Sequence, residues 1–433
     1  MVTQKITWRN LRENWVVFVM LVPTVVGVAI FSYTPAVQAV RHSFYNWDGA
    51  LTEEYVGLEN LRQLLGDLAL WAPLMLGAAL SGLSALARGR RTRLVLRTCG
   101  ALLLVYSYVL LVRDALVHVP ESAAARATPL TWAGILLAAA ILCIAFSVVC
   151  KPGPRRSTAR LGAFLLPVLA GLTYVIGVRQ MGDSLLWSSF KLIFILVAAN
   201  LFKMWPSIFT AVCIHRLKSD RAQYVYRVLF VVPMIIPHMV ALLIWKFFYD
   251  PNVGVLNRVL ILTGLDHVLI WLDKWVLHLG VFQAPFKPAW LGDPTLIIPA
   301  LIFWGFPWVG VVGVLIYLAG LQNIGQDVYE AAEIDGITTW GKFWRIELPL
   351  IMTQVRLNLI LMIIGTFQAY GFQYILLGSE GGPQNKGLTP GLYMFYQAFE
   401  EQNYGYACAI GLILFFIILT LTVINQRYVR VKK

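Results

Sequence analysis

The sequence predicts an all-α, polytopic membrane protein of about ten transmembrane helices. Of its 433 residues 59% are hydrophobic and 13% charged, whereas an average soluble domain carries about 25% charged residues. The apolar residues gather into runs of about 17 to 25, the length a helix needs to cross roughly 30 Å of hydrocarbon. Pro and Gly recur inside those runs, which neighbouring helices in a bundle accommodate and barrel strands do not.

The first run, 15–35, contains Pro23 and follows Lys5, Arg9 and Arg12. Val37 and Ala39 would make a passable cleavage site, but the apolar stretch from Trp15 to Tyr33 exceeds a signal-peptide core of about 7 to 15 residues. It is therefore expected to stay as a helix. Runs 68–87, 94–117, 130–150 and 161–178 follow, joined by short connections. Run 190–214 holds Pro206 and one charge, Lys203; run 226–249 holds Pro233 and Pro237; run 295–320 holds Pro307; runs 351–377 and 404–426 complete the set.

A net charge of +13 invites a nucleic-acid reading, but the basic residues are spread through the connections and form no single face. They report orientation instead. With the N-terminus inside, 23 of the 35 Lys and Arg residues fall on the inner side and 11 on the outer, with Lys203 within a span. The positive-inside rule then places both termini in the cytoplasm. Cys99, Cys143, Cys150, Cys213 and Cys408 lie in or beside apolar runs without CxxC spacing, so no disulfide framework is expected.

The most specific segment is Val328 to Pro349, VYEAAEIDGITTWGKFWRIELP, on the inner side. Glu330, Ala331, Ala332 and Glu333 favour a short helix, Gly336 suits its C-terminal stop, and a second helical stretch runs until Pro349. Small residues at Ala331, Ala332 and Gly336 are expected to press into a groove on another protein, with Glu330 and Asp335 at the edge. Within the segment, Gly336 to Lys342 has the outline G-x-x-x-x-G-K of a phosphate loop. Phe343 replaces the required Ser or Thr, no strand precedes it, and Trp340 would crowd a phosphate. ATP hydrolysis by this chain is not expected.

The spacing Glu330-Ala331-Ala332, Gly336, Ile346, Leu348-Pro349 resembles the EAA loop of binding-protein-dependent ABC importer permeases. That resemblance implies an ATPase dimer as a separate partner, docked on this loop, and puts ATP and Mg there, with no cofactor in this chain. Similarity to the sugar importer branch, the maltose-transporter-like permeases, covers most of the remaining chain. It is carried by Tyr33-Thr34-Pro35, Val56 to Leu61, Phe230 to Pro233, Tyr249 to Asn257, Trp290 to Pro294, Gly365 to Gln368, Gly381-Gly382-Pro383 and Tyr404 to Ala407. It implies a second related permease and an extracytoplasmic solute-binding protein, beside the lipid bilayer of a bacterial inner membrane. Asp250 to Gly254 and Gly381 to Pro383 read equally as turn chemistry, or, for the latter, as a loop where the binding protein rests.

The resemblance breaks after Asp67 and resumes near Asp183, between two similar edges, Leu65-Gly66-Asp67-x-x-Leu70-Trp71 and Met181-Gly182-Asp183-x-x-Leu186-Trp187. This gives three regions: 1–67 with the first span, an inserted 68–183 with four spans, and 184–433 with the rest of the permease core and the coupling loop at 328–349. An even number of inserted crossings preserves sidedness. In the outer loop, Leu265 to Phe282 reads as an amphipathic interfacial helix with Trp271 and Trp275 at headgroup depth. His267 and His278 lack a matching ligand pair, so no metal is expected.

A path for a sugar needs amides, hydroxyls and aromatic faces within apolar helices. Asn358, Thr366, Gln368, Tyr370 and Gln373 interrupt run 351–377, and Trp304 and Trp308, one turn apart around Pro307, offer an aromatic wall. Gln368 lies in the stretch resembling the family's sugar-contacting helix; for the others, interhelical bonding and packing compete as readings. Lys203 sits mid-span, where a charge costs at least about 2.5 to 3.5 kcal/mol. It faces the water-filled path, meets a carboxylate of the partner permease, or attracts an anionic solute; snorkelling or a kink at Pro206 is the alternative. An ion-coupled carrier would place acids at membrane depth and a membrane hydrolase would group His, Asp or Cys. All 22 acids lie outside the apolar cores, so an importer permease for a sugar is the favoured reading, ahead of a polyol or glycerol phosphate importer.

Overall fold

A computed structural model describes residues 15–50, 53–84, 89–118, 123–149, 154–177 and 182–428. Lys5, Arg9, Arg12, Arg88, Lys151, Arg179, Met181, Arg430, Lys432 and Lys433, used above for sidedness and the insert edge, lie outside them. The chain forms two compact units, one of Met1–Leu61 and Met394–Ile417, the other of Arg62–Tyr393 and Ile418–Lys433.

In the first unit, helix α1 (Trp15–Val28) runs through a widened turn, Ala29–Tyr33, into α2 (Thr34–His42). The Thr34 hydroxyl donates to Ala29 O at 3.0 Å, bridging the widened turn. Val19–His42 is apolar and none of its best window is buried within the chain, as expected of a surface solvated by lipid. A short hairpin follows, β1 (Tyr45–Trp47) antiparallel to β2 (Glu53–Tyr55), with Asn46 opposite Glu54. Asn60 fixes it, donating to Ser43 O at 3.0 Å and Tyr45 O at 2.9 Å. Gly405 allows the Tyr45 carbonyl to approach its backbone, where any Cβ would collide. Two of the stretches that carry the family resemblance are thus cross-links of this hairpin.

The second unit begins at Arg62 within α3 (Glu59–Leu65), which turns by 87° into α4 (Leu68–Leu83). Helices α5 (Arg90–His118), α6 (Ala123–Val149) and α7 (Pro154–Gly177) complete a ring in which α4 packs on α5 and α7, and α6 on α5 and α7. Glycines make the close approaches: Gly77 faces Leu104 and the Gly100 carbonyl, Gly134 faces Tyr108, and Gly171 faces Trp71. Small residues of this kind are how membrane helices gain van der Waals contact without a hydrophobic driving force.

The two similar stretches around Asp67 and Asp183 meet. Asp183 N donates to Leu64 O at 3.2 Å, Gly182 (φ 71°) and Gly66 (φ 80°) are both left-handed, and Trp71 stacks on Trp187 at 5.9 Å between centroids. Each Asp caps the helix after it: Asp67 Oδ1 accepts from Ala69 N at 2.9 Å, Asp183 Oδ1 from Leu185 N at 2.8 Å.

Helix α8 (Ser184–His215) is unbroken over 32 residues, about 48 Å at 1.5 Å per residue. Three later runs expected as continuous spans are broken. Run 226–249 splits at Pro233 and Pro237 into α9 (Asp220–Val231), a tight turn, and α10 (His238–Phe248), bent by 85°. Run 295–320 splits into α13 (Ile297–Phe303) and α14 (Val311–Gln322), with irregular chain around the cis Phe306-Pro307 bond. Run 351–377 splits at Gln368 to Tyr370 into α18 (Met352–Phe367) and α19 (Gly371–Leu377). Hydrophobicity reports length at lipid depth but not helical continuity. In the first two runs proline removes a donor, and the freed carbonyls need partners from neighbouring helices; run 351–377 breaks without a proline.

Between them, α11 (Val255–Leu262) and α12 (Leu265–Leu272) turn at Gly264 (φ 74°). The interfacial helix is shorter than expected, and its acids point inward. Asp266 and Asp273 are buried while Val268, Trp271, Trp275 and Val276 are exposed. Asp273 ends the helix by accepting from the N–H groups of Leu279, Gly280, Val281 and Phe282 at 2.6–3.0 Å.

Candidate functional site

Helix α15 (Gln326–Ile334) ends at Gly336, whose φ of 68° makes the reversal that a β-carbon would strain. Thr338 then caps α16 (Thr339–Lys342), its hydroxyl accepting from Gly341 N at 3.2 Å. A widened turn, Phe343–Glu347, and the short α17 (Leu348–Leu350) lead to a 67° bend into α18. Glu330, Ala331, Asp335, Gly336 and Pro349 are exposed, and Leu348 packs partly on the core. Ala332, at 3% exposure, faces inward, which corrects the expectation that it touches a partner: it lies on the side of α15 turned to its own chain. The free face also carries Ile334, 87% exposed, and Trp340, 64% exposed.

Beneath the hairpin lies an ionic cluster that the motif does not announce. The Glu347 carboxylate, 0% exposed, receives Arg216 Nε at 3.0 Å and Arg216 Nη2 at 2.7 Å. Arg216 also donates to Thr339 O at 3.0 Å. The Tyr329 hydroxyl lies 3.2 Å from His215 Nε2 and 3.4 Å from Glu347 Oε1. Burial pushes the Tyr329 phenol up, and the Glu347 charge adds to the rise. The hairpin is thus tied to the end of α8 by a bidentate, charge-assisted pair. On its outer face, Lys342 bonds Glu333 at 2.7 Å and holds that carboxyl below its ordinary range.

Helix α8 runs from this cluster to a cavity of about 470 Å³. Lys203, Ser207, Trp304, Trp308, Asn200 and Asn358 line it, and no carboxylate does. Lys203 Nζ donates to Trp304 O at 3.3 Å and sits 5.9 Å from the centre of the Trp308 ring. Ser207 Oγ accepts from Gly310 N at 2.9 Å and donates to Trp308 O at 3.4 Å. These two side chains of an intact helix therefore pair the groups freed where the neighbouring span breaks. Asn200 ties α8 to α18 through Thr366 Oγ1 at 3.0 Å.

Trp304 and Trp308 share the cavity but not a helical turn: Trp304 ends α13, and Trp308 is left-handed at φ 60°. The expected path residues divide. Lys203, Trp304 and Asn358 come together, whereas Gln368, Tyr370 and Gln373 do not line this cavity. Gln368 is exposed at the break in run 351–377, Tyr370 is 47% exposed, and Gln373 is 2% exposed with its Oε1 unbonded. Trp304 packs against Phe372 with ring centroids 4.4 Å apart and planes tilted by 47°, so the two breaks touch.

A sequence model of the family described as binding-protein-dependent transport system inner membrane component matches residues 204–431, more than half of the chain. The probable ABC transporter permease protein YesP of Bacillus subtilis is 33% identical over 245 residues, 56% of this chain and 72% of that one. The diacetylchitobiose uptake system permease protein NgcF of Streptomyces coelicolor is 33% identical over 201 residues, 46% of this chain and 51% of its own. The maltose/maltodextrin transport system permease protein MalF of Escherichia coli is 29% identical over 232 residues, covering 51% and 41%. The chain thus spans about half or less of the last two relatives. In fold, it resembles a subunit of a bacterial ABC transporter that imports the acidic polysaccharide alginate, with a TM-score of 0.51, 15% identity and 98% of both chains covered. With more than half its length matched by one family model, and a predominantly helical fold with broken spans, this chain belongs to the family of inner membrane components of binding-protein-dependent transport systems, the permeases of ABC importers.

Proposed function

We propose that this permease carries a sugar or related carbohydrate across a bacterial inner membrane, with both termini in the cytoplasm. It works beside a second, related permease, receives solute from an extracytoplasmic binding protein, and is driven by an ATPase dimer that holds ATP and Mg. The names of relatives that act on diacetylchitobiose and on maltose or maltodextrin support the solute class. The observation that carries the mechanism is continuity: the exposed hairpin 328–349 and the cavity at Lys203 are attached to the same unbroken helix, α8.

In this reading Glu330, Ala331, Asp335 and Gly336 meet the ATPase, and the Arg216–Glu347 pair passes the hairpin's displacement to α8. Movement of α8 against the broken spans opens the path past Lys203, Trp304 and Asn358, with Gln368, Tyr370 and Gln373 facing the solute in another stage of the cycle. Segment 68–183 is an insert that leaves the core's sidedness intact. The test is purification of the complex with its ATPase, followed by ATP hydrolysis in the presence of different solutes. Stimulation by carbohydrates is expected; a chain that captures no ATPase, or that moves solute with a proton or sodium gradient instead, ends the reading.

A further inference from the structure

We propose that the solute is anionic, a sugar bearing a carboxylate or phosphate, and that Lys203 is the residue that selects it. This rests on the cavity being the solute path. Lys203 is the sole ionisable lysine, arginine or acid among the lining residues described, and no carboxylate of the described chain pairs with it. Its contacts are a neutral carbonyl and an aromatic ring. A carbonyl satisfies one of three N–H donors but leaves the net charge uncompensated at membrane depth, where an unpaired charge is costly.

The rest of the wall is deficient in the same direction. Among the lining residues described, Trp304 Nε1 and Trp308 Nε1, both N–H donors, are buried without a partner, while the Asn358 amide interacts with the Tyr317 hydroxyl. Those two indoles are covered in this arrangement, so the half-buried ammonium is the group an entering solute meets first. Each hydroxyl of a neutral sugar brings one donor and two acceptor lone pairs, which can serve the N–H groups but bring no charge to compensate the ammonium. An acidic one brings extra oxygen acceptors together with the missing negative charge, and gains a charge-assisted bond in a low-dielectric site.

The experiment uses the whole complex, with ATPase, partner permease and binding protein, in ATP-loaded proteoliposomes offered an equimolar mixture of trigalacturonate, glucose 6-phosphate and maltotriose. Lumenal contents are identified by mass spectrometry. Accumulation of trigalacturonate or glucose 6-phosphate over maltotriose is expected, and which of the two accumulates separates carboxylate from phosphate. Lys203→Gln keeps a donor for Trp304 O but removes the charge; it is expected to cut anionic uptake at least about tenfold while leaving the thermal melting of the complex unchanged, and Lys203→Arg is expected to restore most of it. Accumulation of maltotriose alone or of no probe, full anionic uptake by Lys203→Gln, or loss of the partner permease from the Lys203→Gln complex overturns the assignment. Capture of the ATPase is scored separately, so the importer reading stands or falls on its own.

Discussion

Glu347 and Arg216 stand 131 residues apart in sequence and meet with one partner wholly buried. Breaking such a pair leaves a desolvated charge and typically costs about 3 to 5 kcal/mol. Glu347→Gln is therefore expected to lower the melting temperature and to uncouple ATP hydrolysis from uptake, whereas Glu333→Gln, on the exposed partner of Lys342, is expected to leave the melting temperature unchanged. Thermal unfolding and parallel hydrolysis and uptake assays distinguish the two. Asp273 gives a pH prediction. Burial opposes its ionisation, but four backbone N–H donors outweigh that and hold its pKa below the ordinary value. A carboxyl depressed in the folded state contributes stability that is full above its unfolded pKa and is lost as pH falls through the folded one. Protection of the 279–282 amides from hydrogen exchange is expected to persist from neutral pH down to about 4 and to fall below that, and Asp273→Asn is expected to lose it at every pH. Nothing in the local sequence distinguishes Glu347 or Asp273 from surface acids, because their partners are supplied by other elements or by the turn of the chain itself.

The helices divide into those whose boundaries follow from composition and those whose interruptions follow from packing. Gly336, followed by the Thr338 cap, was a readable stop, since a left-handed residue after a helix favours glycine. The orientation of α15 was not, because Ala331 and Ala332 have the same chemistry and only burial tells them apart. Cysteine at Ala331 or Gly336 is expected to crosslink to the ATPase with a short bismaleimide, and cysteine at Ala332 is expected to remain unreactive in the folded complex; strong labelling at position 332 would show the helix rotated from this arrangement. The same distinction explains Trp304 and Trp308, which the sequence put on one helical face and the chain puts on either side of a break. Run 295–320 was expected to be continuous through Pro307; that it breaks there, with Lys203 and Ser207 bonding the freed backbone, depended on α8 lying alongside.

At the scale of the whole molecule, the two ends of segment 68–183 lie within hydrogen-bonding distance, with Asp183 N on Leu64 O. Joining Gly66 directly to Asp183 removes four inserted helices and leaves each retained helix with its cap. The shortened chain is expected to insert in the membrane, bind the ATPase and keep solute-stimulated hydrolysis; failure of the shortened chain to insert, with an intact parent, would make the inserted ring part of the core. The sequence by itself determined the membrane class, the number of apolar runs and the position of the hairpin at 328–349. Those depend on local quantities, namely hydrophobicity over about 20 residues, charge in connections and the short-range chemistry of glycine and proline. Tertiary structure alone decided which runs break, which faces turn inward, and which distant groups meet at Lys203 and Glu347. Those outcomes depend on the desolvation and hydrogen bonding of groups far apart along the chain, and only the packed helices bring them into range.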